Sequence, residues 1–143
     1  MTTPIAATAA VEIARPAGEV WAKLRRFGDL GWAGDAIAEV RLRETDEALI
    51  RDVRVAGSDE LISERLVERD DDAMTFTYAV DGLMMGMADY VACCGVQAVD
   101  DSSCRVSWDC SASTTADSPS AGQETLEGMA TGMAHLFAAS FAG

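Results

Sequence analysis

Residues 51–70, RDVRVAGSDELISERLVERD, read as two strands joined by a turn. Gly57-Ser58-Asp59 supplies the turn signal, and the runs on either side alternate apolar with polar side chains. Successive side chains of a strand point to opposite faces. Leu49, Arg51, Val53 and Val55 therefore share one face of the first strand, and Ile62, Glu64 and Leu66 share one face of the second. An arginine and a glutamate thus stand in rows that otherwise read as core. A charge taken out of water needs a partner, and removing one member of a buried pair costs about 3–5 kcal/mol. The pair can be a salt bridge closing a wall of the fold, or it can meet a ligand. A β-bulge in either strand would turn one of the two outward.

The same alternation recurs on both sides of this hairpin. Strands are expected at about 36–43, 48–56, 60–69, 73–81, 87–99 and 104–114, with a weaker first strand over 5–13. Val40 and Leu42 alternate with Glu39, Arg41 and Arg43, and Phe76, Tyr78 and Val80 alternate with Thr75, Thr77 and Ala79. Cys104, Val106, Trp108 and Cys110 alternate with Arg105, Ser107, Asp109 and Ser111. One wet face and one buried face is the pattern of an antiparallel sheet. Further turn signals fall at Asp70–Asp72 and Asp100–Ser103.

Two segments follow a different period. Arg15-Pro16-Ala17-Gly18-Glu19 reads as a helix start, with Pro16 in the first turn and Glu19 near the positive helix end. Val20, Leu24 and Phe27 follow at i, i+4 and i+7, and Gly28 supplies a stop. GDLGWAGD, residues 28–35, is too rich in glycine for more than one further turn. Near the C-terminus Ser120-Ala121-Gly122-Gln123 reads as a capping box after Pro119. Leu126, Met129, Met133, Leu136, Phe137, Ser140 and Phe141 then mark one helical stripe. A helix of about 22 residues is as long as a ten-residue strand, roughly 33 Å. The expected fold is α+β: a seven-stranded curved antiparallel sheet gripping a long C-terminal helix, with two short helices after the first strand. The length suits one domain over 1–143.

Composition narrows the function classes. With 24 acidic and 11 basic residues the formal net charge is −13. That charge repels phosphate backbones and anionic membrane surfaces, so neither nucleic acid nor a membrane is expected as a partner. No apolar run approaches the roughly 20 residues that span a bilayer. MTTPIAATAAVEIARP, residues 1–16, lacks the basic start and apolar segment of a signal peptide. A cytoplasmic location and reduced thiols are therefore expected. Cys93 and Cys94 point to opposite faces of a strand, no C-x-x-C pair occurs, and there is one histidine, so no metal site is expected. A three-residue turn at Asp101–Ser103 would set Cys94 opposite Cys110, within reach of a disulfide. His135 lies two residues from Met133, roughly 200° around the helix, and should face solvent. GLMMG (82–86) and GMATG (128–132) lack the spacing and the lysine of a phosphate loop, and Asp70–Asp72 reads as a turn, not a metal box. No cofactor is expected.

The arrangement of these residues is familiar. VEIARPAGEVWAKLRRFGDLGWAGDAIAEVRL, residues 11–42, resembles the opening of the polyketide cyclase/dehydrase and lipid-transport proteins of the START-like helix-grip superfamily. The resemblance is carried by the step from strand to Pro16, by Val20-Trp21, and by Trp32 after the glycine-rich bend. It continues in ISERLVERDDDAMTFTYAV (62–80), with Glu64, Arg65, Leu66, Asp70 and Tyr78, and then in Tyr90, SCRVSWDC (103–110) and Gly128. Nearly the whole chain is covered. The resemblance implies a deep apolar cavity between sheet and helix, and a small hydrophobic or aromatic ligand, polyketide-like or lipid-like. It also implies either cyclisation or dehydration without metal or cofactor, or carriage or sensing of an unchanged molecule.

Within that reading, Trp32, Phe76, Tyr90, Trp108, Met129, Met133 and Phe137 are the candidate ligand-lining residues. Aromatic and methionine side chains in these positions serve equally as plain core. Glu64, Arg51 and Tyr78 are the candidate catalytic residues. Arg51 would hold a carbonyl or enolate oxygen, Glu64 would move a proton, and Tyr78 or Tyr90 would be the next proton donor. Gly128 and Gly132, which face alike, are read as permitting close helix–sheet approach.

Overall fold

The computed structural model of the protein describes residues 2–114 and 119–142. The alternating segments form strands β1 (Thr3–Ile13), β2 (Ile37–Glu44), β3 (Leu49–Val55), β4 (Leu61–Asp70), β5 (Thr75–Val80), β6 (Met87–Asp100) and β7 (Ser103–Thr114). All pair antiparallel in one curved sheet of order β1-β7-β6-β5-β4-β3-β2. Helix α1 (Ala17–Leu24) and a 3-10 segment (Gly31–Ala36) connect β1 to β2, and helix α2 (Pro119–Ala139) packs on β1 and β7. No helix among the described residues is long and apolar enough to cross a membrane.

The short connection between β1 and β2 departs from simple helix periodicity. Pro16 is the N-cap of α1, where its carbonyl accepts from the Glu19 and Val20 amides at 3.1 and 3.2 Å. The helix ends at Leu24, so Phe27 lies in the following turn, yet it is buried. The 3-10 segment is broken at Gly34, whose φ of 59° is accessible to glycine without a Cβ clash.

Helix α2 begins at Pro119, which places Ser120 in its first turn. Gln123 reaches to β1. Its Nε2 donates to the Ala6 carbonyl at 2.6 Å, and the Ala6 amide donates to its Oε1 at 3.4 Å. The buried line of α2 runs through Gly122, Leu126, Ala130, Ala134 and Phe137, with Met129 and Met133 half-buried on its flank. Small residues at 122, 130 and 134 let the helix axis approach the sheet. A Cβ at Gly122 would lie 2.8 Å from Thr114 Oγ1, so the close contact is there. Gly128 and Gly132, expected to serve that purpose, have no atom within 4 Å of an added Cβ.

Register in the last hairpin also differs from expectation. Asp100 pairs with Ser103, leaving a two-residue turn whose Asp100 Oδ1 accepts from the Ser102 amide at 2.9 Å. An irregularity between Ala98 and Asp100 then resets the pairing, so Cys94 faces Trp108 and Cys110 faces Ala92. All four cysteines are free thiols. A second irregularity, between Ala88 and Val91, contains Asp89 at φ 56°. The extra residue puts Met87 and Tyr90 on the same buried face despite their odd spacing.

The inward charges lie where strand parity puts them. Arg51 and Glu64 are direct cross-strand partners in β3 and β4, beside buried Val53 and Ile62. The irregularity in β4 falls further on, between Leu66 and Glu68, and leaves both residues facing inward.

Candidate functional site

Because α2 rests on β1 and β7, the opposite half of the sheet stands away from it. The gap is a cavity of about 220 Å³. Its floor is the inward row of the sheet: Val53 and Val55 on β3, Ile62 and Glu64 on β4, Tyr78 on β5 and Tyr90 on β6. Met129, Met133 and Leu136 of α2 form the opposite wall, with Gly128 and Gly132 between them. Leu30, Ala36, Ile37, Met84 and Met85 complete the lining.

The Met84–Met87 segment is a tight hairpin. Met84 and Met87 exchange both backbone hydrogen bonds at 2.8 Å, and Met85 and Gly86 between them have φ of 52° and 79°. Positive φ at both central positions marks a type I′ turn, and a methionine there is uncommon. The Met85 amide donates to Glu60 Oε2 at 3.2 Å, tying this turn to the β3–β4 loop. Met85 is half-exposed at the mouth of the cavity.

One end of the floor is polar. Arg51 Nε donates to Glu64 Oε1 at 2.5 Å, and its Nη1 donates to the Phe27 carbonyl at 2.9 Å. The guanidinium lies over the rings of Phe27 and Tyr78, 4.2 and 4.9 Å from their centroids. Such stacking of a desolvated cation adds about 2 kcal/mol. Burial is the largest influence and works against the Arg51 charge, but Glu64, Tyr78 and Cys94 together outweigh it, and the guanidinium is held above its ordinary pKa. The side chains of Arg51 and Glu64 are 5% and 13% exposed, and only Glu64 reaches the cavity. Among the described residues no donor bonds its second oxygen, Oε2.

Beside it the Tyr78 hydroxyl lies 3.3 Å from that of Tyr90, which lies 3.5 Å from Cys110 Sγ. Burial above all pushes both phenols far above their ordinary pKa, so both are neutral hydrogen-bonding groups. The Cys110 thiol is raised by burial as well.

Of the residues singled out in the sequence, Glu64, Tyr78, Tyr90, Met129 and Met133 come together on the cavity wall. Arg51 does not line it; its Nε and Nη1 are engaged with Glu64 and the Phe27 carbonyl and its plane lies over two rings. Trp32, Trp108 and Phe137 pack on one another with centroids 5.2–6.1 Å apart, and Phe76 stacks on Tyr78 at 6.1 Å. These four are core behind the wall and do not line it. His135 is exposed, as expected. Sequence reasoning passed over Leu30, Ala36 and Ile37, which lie in or next to an irregular segment without periodicity, and misread the two glycines. Val53, Val55 and Ile62 were already marked by strand parity, and Leu136 by the helical stripe. Among the described residues no group of three or more His, Cys, Asp or Glu is placed to hold a metal ion.

A family model described as polyketide cyclase / dehydrase and lipid transport matches residues 4–143. No curated protein matches the sequence. Among solved structures the chain is similar to an uncharacterized protein from Bacillus thuringiensis, at 19% identity over 96% of this chain and 99% of that one, with a TM-score of 0.85. It is similar to the Zhui aromatase/cyclase from a Streptomyces species, at 16% identity over 96% and 91% of the two chains, TM-score 0.74. Norcoclaurine synthase from Thalictrum flavum is 14% identical over 96% and 86%, TM-score 0.77. At these identities the shared property is the fold.

Proposed function

This chain belongs to the polyketide cyclase/dehydrase and lipid transport family, and from that premise we propose that it binds a small hydrophobic or aromatic, polyketide-like molecule between α2 and the sheet. The observation that carries the proposal is a cavity of about 220 Å³ with apolar walls and, among the described residues, a single carboxylate. An apolar cavity of about 150 Å³ admits benzene, whereas pockets for drug-sized ligands span roughly 300–1,000 Å³. The space therefore suits one substituted ring or a compact fused pair, and excludes a long acyl chain unless the walls part. Burying about 200 Å² of such a molecule contributes on the order of 5 kcal/mol. That term alone gives a Kd near roughly 0.2 mM.

Glu64, next to the neutral Tyr78, also supports a second reading, in which the bound molecule is cyclised or dehydrated. The carboxylate would take up and return the proton, and among the described residues no other acidic or basic side chain reaches the wall. Saturable tryptophan quenching by one- and two-ring aromatics tests the binding proposal; one equivalent at saturation is expected, and no saturation across the panel overturns it. Incubation with a reactive poly-β-carbonyl compound separates the two readings. Product that disappears with Glu64→Gln assigns catalysis, and recovery of the compound unchanged assigns carriage or sensing.

A further inference from the structure

The polar groups on the cavity wall specify more than an apolar ligand. Glu64, as half of an ion pair, is an acceptor on both oxygens, and Oε1 is already taken by Arg51. An ether, ester or ketone oxygen placed against Oε2 would meet lone pairs with lone pairs. A ligand that satisfies Glu64 must therefore bring an O–H or N–H.

Charge decides between these. Arg51 and Glu64 sum to zero, and the rest of the wall formed by described residues is apolar or phenolic. An ammonium would add an uncompensated positive charge to a desolvated site, and a carboxylate would add a negative one beside Glu64. A neutral hydroxyl avoids both costs.

The phenols complete the site. Leu66 of β4 is opposite Tyr78 and Glu64 is opposite Val80, so Glu64 and Tyr78 are diagonal neighbours on the cavity face. The hydroxyl chain Tyr78–Tyr90–Cys110 can run in either sense. When Cys110 donates to Tyr90 and Tyr90 to Tyr78, the Tyr78 proton is free to meet a ligand oxygen. We propose, building on the binding reading above, that this cavity selects a neutral phenol-type compound of one or two rings, whose hydroxyl donates to Glu64 and accepts from Tyr78.

Four compounds of nearly one shape test this: 2-naphthol, 2-methoxynaphthalene, naphthalene and 2-naphthoate, titrated calorimetrically into the wild-type chain at neutral pH. A hydrogen bond to a charged acceptor is expected to make 2-naphthol bind about tenfold or more tighter than naphthalene. The methoxy compound should gain nothing over naphthalene, and 2-naphthoate should bind weakest. Glu64→Gln, verified as folded by circular dichroism, turns an amide N–H₂ toward the cavity while its oxygen stays with Arg51, so the preference for naphthol over its methyl ether should vanish. The wild-type series stands even if that variant does not fold. Equal binding of 2-naphthol and 2-methoxynaphthalene, or tightest binding of 2-naphthoate, overturns the hydroxyl proposal and leaves the cavity reading intact. Failure of all four to bind overturns the cavity reading, and this proposal with it.

Discussion

Replacing Arg51 with methionine separates a structural ion pair from a ligand-binding one. Methionine keeps much of the aliphatic stem but deletes the guanidinium, its bond to Glu64, its bond to the Phe27 carbonyl and its stacking on two rings. Removing one partner of a buried pair costs about 3–5 kcal/mol. Glu64 keeps some access to water, its side chain being 13% exposed, which points to the lower end of that range. Unfolding entropy of about 2.1 cal/mol/K per residue, over 143 residues, makes 1 kcal/mol equal to roughly 3 °C in Tm. Arg51→Met should therefore melt about 10 °C below the wild type by scanning calorimetry. Arg65→Met is the control. It removes a surface pair with Asp81 whose side chains are 37% and 75% exposed, and such pairs contribute at most about 1 kcal/mol. The double variant Arg51→Met, Glu64→Leu should recover much of the loss, because no unpaired charge is left behind. If Arg51→Met melts within about 3 °C of the wild type, like the control, the assignment of Arg51 to structure is refuted.

Other expectations are more local. Gly132 sits in α2 with nothing within 4 Å of an added Cβ, so Gly132→Ala should raise Tm by about 3 °C through helix propensity alone. Gly132→Leu should fill the cavity and abolish aromatic binding without lowering Tm; retained binding would contradict the cavity's placement. The chain has two tyrosines, and burial raises the pKa of both above 10.0. A raised folded pKa gives stability that is full below the unfolded value of 10.0 and is lost as pH rises past it. Absorbance at 295 nm should thus show no tyrosinate until alkaline unfolding, and then both phenols ionising together; one phenol titrating in the folded chain near its ordinary pKa would refute this. Asp52 accepts from Arg43 and Ser63, which hold its carboxyl below the usual 3.8. A depressed pKa gives stability present above 3.8 and lost as pH falls through the folded value. The Tm gap between wild type and Asp52→Asn, measured from neutral pH downward, should close below that point; a gap independent of pH would argue against the linkage.

The architecture was legible because each period is long and unbroken. Residues 104–111 alternate without an exception, and after residue 120 the apolar spacing changes to that of a helix. Arg51 and Glu64 could be paired from sequence because their strands carry no bulge between them and the turn. Bulges are what the pattern hides. Met87 and Tyr90 share a face through one extra residue at Asp89, and Cys94 misses Cys110 through another near Val99. The site was harder to read than the fold, because an inward aromatic can meet a cavity or another ring. Tyr90 does the first and Trp108 the second, although both are equally buried. Glycine is ambiguous in the same way: Gly122 permits contact and Gly132 permits space.

The bond between Gln123 and Ala6 has a bearing on self-association. An open sheet ends in two strands whose outward backbone groups invite a further strand from another molecule. At the β2 edge Glu39, Arg41, Arg43 and Glu44 are exposed and charged, which discourages that pairing. β1 between Thr3 and Val11 carries no charge at all. There the Gln123 carboxamide gives one hydrogen bond to Ala6 and takes one, as a neighbouring peptide unit would, and Pro4 has no N–H to offer. The guard on this edge belongs to α2, not to the strand itself. Any state in which α2 lifts away, whether on the folding pathway or during ligand entry, bares a neutral β-edge, and polymerisation should begin from that state.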